Sequence, residues 1–547
     1  MTRRQKWALL ASLLVCLFMG ALDQTIVATA TPTILADLGG FGLLSWLFTG
    51  YMLSSTVVVP LTGKLSDNFG RKPFLLAGIL VFIGASMACG AAPNMESLIA
   101  FRVVQGLGGG MIFSSVFASI GDLFPPSERG KYIGLFTATF SLASILGPTL
   151  GGLLTDHVGW RWVFYINLPV GLVAIPAVLR NLPSVKGATR PKIDVLGAVL
   201  LSGASVSLLL ALVWAGDRYA WLSAEILGLF AAAALLVAAF IAQERRHPDP
   251  VLPLHLFRNR IFVTSNLIVF AVGAGLFGSI TYLPTFVQTA LGESATASGI
   301  ITTPQSLGAL VSSILGGLAI ARLGRYRWQT AGGALLMAGA MYLISTVGLD
   351  SPTWHISLFM VMSGLGFGLV LPTMGVVIQN AVPHQYLGVA SSSNQFFRQI
   401  GAVLGIAVLG AVLANSYAAS FDDHLPAEAR AEIPPATLAA FDDPTLALDP
   451  RNFQRVRAEM LAVPGGEALL QSALLAQREG VRDANRHIFW VATGVALACF
   501  VVALFLAEIP LRREFAPPAP GAQPGPAGPP GPDPAPAATR PSAGGDA

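Results

Sequence analysis

Residues 63–72 read GKLSDNFGRK, and residues 317–326 read GLAIARLGRY. Each stretch lies between two apolar runs, 45–63 and 74–92 for the first, 299–321 and 328–348 for the second. Glycine recurs at positions one and eight and arginine at nine. A basic turn of this pattern, repeated far along the chain between apolar segments, points to two homologous halves. Parallel repeats are one architecture of secondary transporters, which place substrate at the repeat interface near the middle of the membrane.

Composition agrees with a membrane setting. Of 547 residues, 54% are hydrophobic and only 11% charged, against about a quarter charged in soluble domains. Lipid admits only helices or closed barrels as spanning structures, and barrel strands would alternate polar and apolar residues. Apolar windows of about 20 residues predict fourteen spans, near 7–29, 45–63, 74–92, 97–120, 131–154, 160–181, 194–214, 222–243, 262–288, 299–321, 328–348, 354–381, 386–414 and 488–509. The expectation is an all-α polytopic membrane protein of 14 transmembrane helices. Residues 1–181 form one six-helix bundle, 182–260 two inserted helices with their connections, and 261–510 a second six-helix bundle. A long polar insertion, 415–487, lies within the second bundle, and 511–547 is a Pro/Gly/Ala-rich tail expected to be disordered.

The net charge of +4 is spread over short loops rather than gathered into a nucleic-acid patch, so the expected partner is the lipid bilayer and not nucleic acid. One set of loops carries Arg3, Lys64, Arg71, Lys72, Arg129, Lys131, Arg322, Arg325 and Arg512 among others, the opposite set only Arg161 and Arg218. The positive-inside rule therefore puts both termini in the cytoplasm. The start resembles a signal peptide, with Ala28-Thr29-Ala30 as a cleavage site, but the long run and the many later spans favour an uncleaved first helix. Cys16, Cys89 and Cys499 lie singly in apolar segments, with neither disulfide nor metal spacing.

Charges inside the spans carry the chemistry. Asp23, in LDQTIVATATP (22–32), is the only acid well inside a predicted helix. Arg102 lies within span 4, where a cation costs at least about 2.5–3.5 kcal/mol on insertion scales; it faces either a partner or a wet cavity, or snorkels to the interface. Arg398, within span 13, faces the pathway or reaches the headgroups. Trp46, Tyr51, Tyr282, Phe286, Gln288, Asn394 and Phe397 are candidates for a substrate cavity, with an interfacial aromatic belt as the alternative. Gly147 and Gly151 share one helix face and allow close approach, and Pro148 permits a bend. No HExxH, no paired histidines within a span and no GxxxxGK[ST] occur, which argues against a membrane enzyme and against ATP as the direct energy source.

The motifs together resemble the major facilitator superfamily, in particular its 14-span drug:proton antiporters of EmrB/QacA type. GKLSDNFGRK resembles motif A (Gly63, Asp67, Gly70, Arg71, Lys72), RVVQGLGGG at 102–110 motif B (Arg102, Gln105, Gly106), and GPTLGG at 147–152 the antiporter motif C (Gly147, Pro148, Gly151, Gly152), with Gly134 and Ala143 at its upstream glycine positions. LDQTIVATATP, WRWVFYINLPVG at 160–171 and SSSNQFFRQIGAVLG at 391–405 are similar to further motifs of that group. The resemblance covers about 7–510. It implies a cytoplasmic latch at Asp67, tuning of an acid by Arg102 with Asp23 as the proton carrier, and export of amphipathic or cationic small molecules in exchange for protons. The export is driven by the proton gradient with no cofactor and no metal, in a bacterial cytoplasmic membrane, and a single chain is a sufficient unit. An endogenous lipid, siderophore or antibiotic is the alternative cargo. The second copy has Ala321 where the first has Asp67, so only the first is expected to latch.

Overall fold

The computed structural model describes residues 3–39, 43–183, 193–216, 218–448 and 450–511. The tail from 512 and the linker at 184–192 lie outside them. Among the described residues there is no strand beyond a single bridge between Ala215 and Tyr219. The fold is all-helical: α1 (Arg3–Leu38), α2 (Leu44–Phe69), α3 (Arg71–Gly90), α4 (Met95–Leu123), α5 (Pro126–His157), α6 (Trp162–Tyr165), α7 (Asn167–Asn181), α8 (Val195–Trp214), α9 (Ala224–Glu244), α10 (Arg260–Thr289), α11 (Ala295–Thr302), α12 (Pro304–Leu323), α13 (Arg327–Ser345), α14 (Thr353–Asn380), α15 (Leu387–His424), α16 (Ala427–Glu432), α17 (Pro435–Ala440), α18 (Pro450–Leu461) and α19 (Gly466–Leu504).

All fourteen predicted spans fall on helix, spans six and ten each in two pieces, α6–α7 and α11–α12. Twelve of the helical stretches are long and apolar enough to cross a membrane. The exceptions are α2, diluted by Ser54, Ser55, Thr56, Lys64 and Asp67, and α13, diluted by Gln329, Thr330 and three glycines. Local chemistry sets the ends. Asn94, Ser223, Asn259 and Ser294 cap the first turns of α4, α9, α10 and α11 with their side-chain oxygens, and Pro126 opens α5 where its missing N–H costs nothing.

The packing repeats between halves. In the first, α1 packs on α5 and α7, α4 on α2 and α3, and α3 on α7; in the second, α10 packs on α15 and α19, α14 on α12 and α13, and α13 on α19. The contacts between halves, α2 with α15 and α5 with α12, exchange under the same relation. The glycines of the repeated turn obey it too. A Cβ on Gly63 would meet Ser392 and the Gly388 carbonyl of α15, and one on Gly317 would meet the Gly130 carbonyl of α5. At position eight, Gly70 (φ +95°) and Gly324 (φ +68°) both hold positive φ, which side chains other than glycine rarely adopt.

The inserted helices α8 and α9 pack on each other, and α8 leans on α2 and α15. Their outer faces expose Val195, Val199, Leu227 and Leu235, as a lipid-facing surface would. The insertion at 415–487, whose sequence predicts partial helix, is largely helical. Spans 13 and 14 continue into it as the ends of α15 and α19, and α16 to α18 close over a core of Tyr417, Phe421, Phe441, Val456 and Met460.

Candidate functional site

Asp23 and Arg102 meet. Asp23 on α1 is 0% exposed and Arg102 on α4 1%, and one guanidinium nitrogen donates to Asp23 Oδ2 at 2.6 Å. Asp23 Oδ1 accepts from Gln105 Nε2 at 2.8 Å and from Asn167 Nδ2 at 3.0 Å. Asn167, on α7, also donates to Ser86 Oγ at 3.0 Å, which donates to the Phe164 carbonyl at 2.8 Å. Arg102 donates to Gln105 Oε1 at 2.9 Å and to the Leu47 carbonyl at 3.4 Å, and lies 4.4 Å from the Tyr51 ring centre. The cluster joins α1, α2, α3, α4 and α7 around a carboxyl group whose two oxygens accept from three side-chain donors. Snorkelling of Arg102 is ruled out by this burial.

The seam beside it explains the LDQTIVATATP stretch. A Cβ on Gly147 would sit 2.0 Å from Thr25 Oγ1, and one on Gly151 2.0 Å from Thr29 Oγ1 and 2.7 Å from the Ile26 carbonyl. Thr25 Oγ1 donates to the Ala143 carbonyl of α5 at 3.1 Å. The motif C glycines are therefore the bed on which the helix carrying Asp23 lies. Gly152 faces nothing within 4 Å.

At the end of the bundle bearing the repeated turn, Asp67 is held by two kinds of partner. It pairs with Arg71 and accepts from the backbone N–H groups of Gly388 and Val389, each at 2.9 Å, at the N-terminus of α15. An anion there is favoured by the orphan N–H groups and the helix dipole. Arg71 also donates to Asp122 Oδ2 at 2.8 Å and Ser66 Oγ at 2.7 Å, and Lys72 to the Leu179 carbonyl at 2.6 Å. Lys64 and Asn68 bind Asp249, in the segment after α9. In the second copy Arg325 is exposed, in keeping with Ala321 at the position of Asp67.

A cavity of about 1080 Å³, counting its opening to solvent, lies between the halves. Its walls come from α1, α4 and α5 on one side and from α10, α12, α14 and α15 on the other. Phe113, Phe117, Phe136, Phe140 and Phe367 supply its aromatic lining, among aliphatic, serine and amide side chains, and Arg398 is the one charged side chain among its described lining residues. Arg398 therefore faces this cavity, and Asn394, one turn before it, lines the same cavity.

The other expected cavity residues are elsewhere. Tyr51 belongs to the Asp23 cluster and Phe286 is core. Trp46 packs edge-on against Trp214 of α8 at 6.0 Å, and Phe397 against Phe396 at 5.8 Å. Tyr282 donates to the Ile406 carbonyl at 2.6 Å and lines a separate pocket between α2, α8 and α15. Gln288, near the end of α10, is half-buried and not among the lining residues. Asp23 does not line the cavity either. Asn167 and Ser86 were missed by sequence reasoning, although Asn167 is a polar residue inside an apolar segment, the same signal that exposed Asp23.

The family model for the Major Facilitator Superfamily matches residues 13–406. The chain is similar to the multidrug transporter protein MdtP of Bacillus subtilis (strain 168), 44% identical over 405 residues, 74% of this chain and 75% of that one. It is similar to the tetracenomycin C resistance and export protein of Streptomyces glaucescens, 33% identical over 510 residues, 92% of each. Among solved structures, the human organic anion transporter MFSD10 (TETRAN) superposes with a TM-score of 0.59 at 15% identity, covering 92% of this chain and 100% of that one; at that identity the likeness shows the fold alone.

Proposed function

The chain belongs to the major facilitator superfamily, and from that premise we propose that it is a proton-coupled exporter of amphipathic small molecules, working by alternating access in a bacterial cytoplasmic membrane with both termini inside. Export is supported by the relatives named for multidrug transport and for tetracenomycin C resistance and export. The alternative cargo is an endogenous lipid, siderophore or antibiotic, and the second relative, alike over 92% of each chain and named for tetracenomycin C resistance and export, favours the last of these. No cofactor is invoked, since the proton gradient supplies the free energy. One chain suffices, because the cavity is built from its own two halves.

The observation that carries the coupling is the buried Asp23 cluster, set apart from the cavity. In this reading cargo and proton never share a site. A proton on Asp23 turns an all-acceptor carboxylate into a partial donor and removes the charge that strengthens its bonds from Arg102, Gln105 and Asn167. Those bonds tie α1 to α4 and α7, and their release lets α1 move on its glycine bed against α5. The latch of Asp67 on α15 holds the halves together at the cytoplasmic end until that movement occurs.

The test uses purified protein in proteoliposomes under an imposed pH gradient. Uphill movement of a fluorescent amphipathic compound is expected for the native chain and abolished in Asp23→Asn. Transport that survives collapse of the gradient, or that is undiminished in Asp23→Asn, overturns the coupling role.

A further inference from the structure

We infer that the cavity between the halves is a receptor for aromatic amphipathic compounds bearing an anionic group, with Arg398 as the counter-ion; this rests on the export reading and specifies its cargo. Arg398 lies about 17 Å along α15 from its start, deep enough that an idle guanidinium would be costly. Arg102 has Asp23 as its carboxylate and Arg71 has Asp67 with Asp122, while Arg129 donates to the Phe124 and Gly121 carbonyls. Arg398 has a hydrogen bond from Nε to Gln395 Oε1 at 3.3 Å, and among the described residues no carboxylate lies within ion-pair distance. Nor does any line the cavity.

One turn before it, Asn394 lines the same wall and has a buried amide nitrogen with no hydrogen-bond partner. Two unspent donor groups thus stand together on one face of α15, opposite the phenylalanine walls. A carboxylate, sulfonate or phenolate satisfies both while its ring system stacks on the phenylalanines. A cationic cargo meets Arg398 with nothing on the described walls to offset the repulsion.

The test is equilibrium binding to the full-length protein in lipid nanodiscs, with no gradient imposed. The probes are three tritiated pyrenes differing only in headgroup, the carboxylate, the carboxamide and the methylammonium, read by scintillation proximity. The native protein is expected to bind the carboxylate at least about tenfold more tightly than the ammonium. Arg398→Gln should weaken the carboxylate by roughly ten- to a hundredfold, the range for a charge-assisted hydrogen bond, and the carboxamide by no more than about twofold. Arg398→Lys should keep the preference. Gln395→Glu, which supplies an internal counter-ion and retains the arginine, should erase it, so the proposal stays testable if Arg398→Gln fails to fold.

Equal binding of carboxylate and ammonium by the native protein, equal weakening of all three probes in Arg398→Gln, or an intact preference in Gln395→Glu overturns the assignment. A retained carboxylate preference without gradient-driven transport of any probe upholds the charge assignment and overturns the export reading.

Discussion

Replacing Asp23 by asparagine keeps the shape of the side chain and removes one charge from the most buried ion pair of the bundle. Removing one partner of a buried pair costs about 3–5 kcal/mol, because the other charge is left uncompensated. Here Arg102 keeps the Gln105 oxygen at 2.9 Å, the Leu47 carbonyl at 3.4 Å and the Tyr51 ring at 4.4 Å, and the asparagine oxygen can still accept from Gln105 and Asn167. These contacts offset part of the loss, which places the expected destabilisation at about 3 kcal/mol, roughly a hundredfold in the unfolding equilibrium. Arg102→Gln should cost about 2–3 kcal/mol by the converse argument, since Asp23 then retains only amide donors. The double variant Asp23→Asn/Arg102→Gln leaves neutral amides in a packed site and should cost no more than about 1–2 kcal/mol. The double-mutant cycle, read by equilibrium unfolding in mixed lipid–detergent micelles, should therefore give a coupling of about 3–5 kcal/mol. Additive single and double costs, or a single loss below about 1 kcal/mol, would refute the view that the two charges depend on each other.

The seam between α1 and α5 makes a paired prediction. Gly151→Ala, whose Cβ would press on the Ile26 carbonyl, should cost about 1–3 kcal/mol and slow transport, whereas Gly152→Ala, facing open space, should leave both unchanged; equal effects in the two variants would remove the close-packing argument. Asp67→Asn deletes the charge that Arg71 and the α15 N-terminus share, and should shift the opening of that end by about 1–3 kcal/mol. Spin labels on α2 and α15 should report a longer distance in the variant, and an unchanged distribution counts against a latch. At the opposite end, Asp37 accepts from Trp160 Nε1 at 2.9 Å and from Arg161 at 2.8 Å. These bonds, that from Trp160 foremost, hold its carboxyl below the usual range. A depressed carboxyl stabilises the fold above its unfolded-state value, and that contribution fades as pH falls through the folded-state one. Acidification below about pH 4 should therefore change Trp160 fluorescence, measured as the difference between native protein and Trp160→Phe, and a signal flat down to pH 2 would contradict the contact.

Much of this architecture was legible because the membrane makes certain residues expensive. Apolar windows located the helices, and the two costly charges Asp23 and Arg102 turned out to be partners. The glycines of the repeated turn are readable because Gly70 and Gly324 hold positive φ while Gly63 and Gly317 let one half press on the other. The cavity wall was not legible, for a physical reason. A helix buried in a bundle is apolar all round, so periodicity does not say which face turns inward. Tyr51, Phe286 and Phe397 were chosen by side-chain type and position along the span, and each points into packing instead. Asn394 and Arg398, polar residues one turn apart, fall on the cavity because lipid and core both reject them.

One helix joins the places where this molecule acts. The 38 residues of α15 make an unbroken rod about 57 Å long. Its first N–H groups hold Asp67, its first third presents Asn394 and Arg398, Gly401 and Gly405 seat it tightly against α10, and its far end plants Tyr417 and Phe421 in the core of the insertion. In the proposed mechanism such a rod acts as a drive shaft, so that tilt imposed at the latch reaches the guanidinium and the insertion in the same stroke. A fluorophore attached to the insertion, remote from both the proposed latch and the cavity, is therefore expected to report on the opening of the latch.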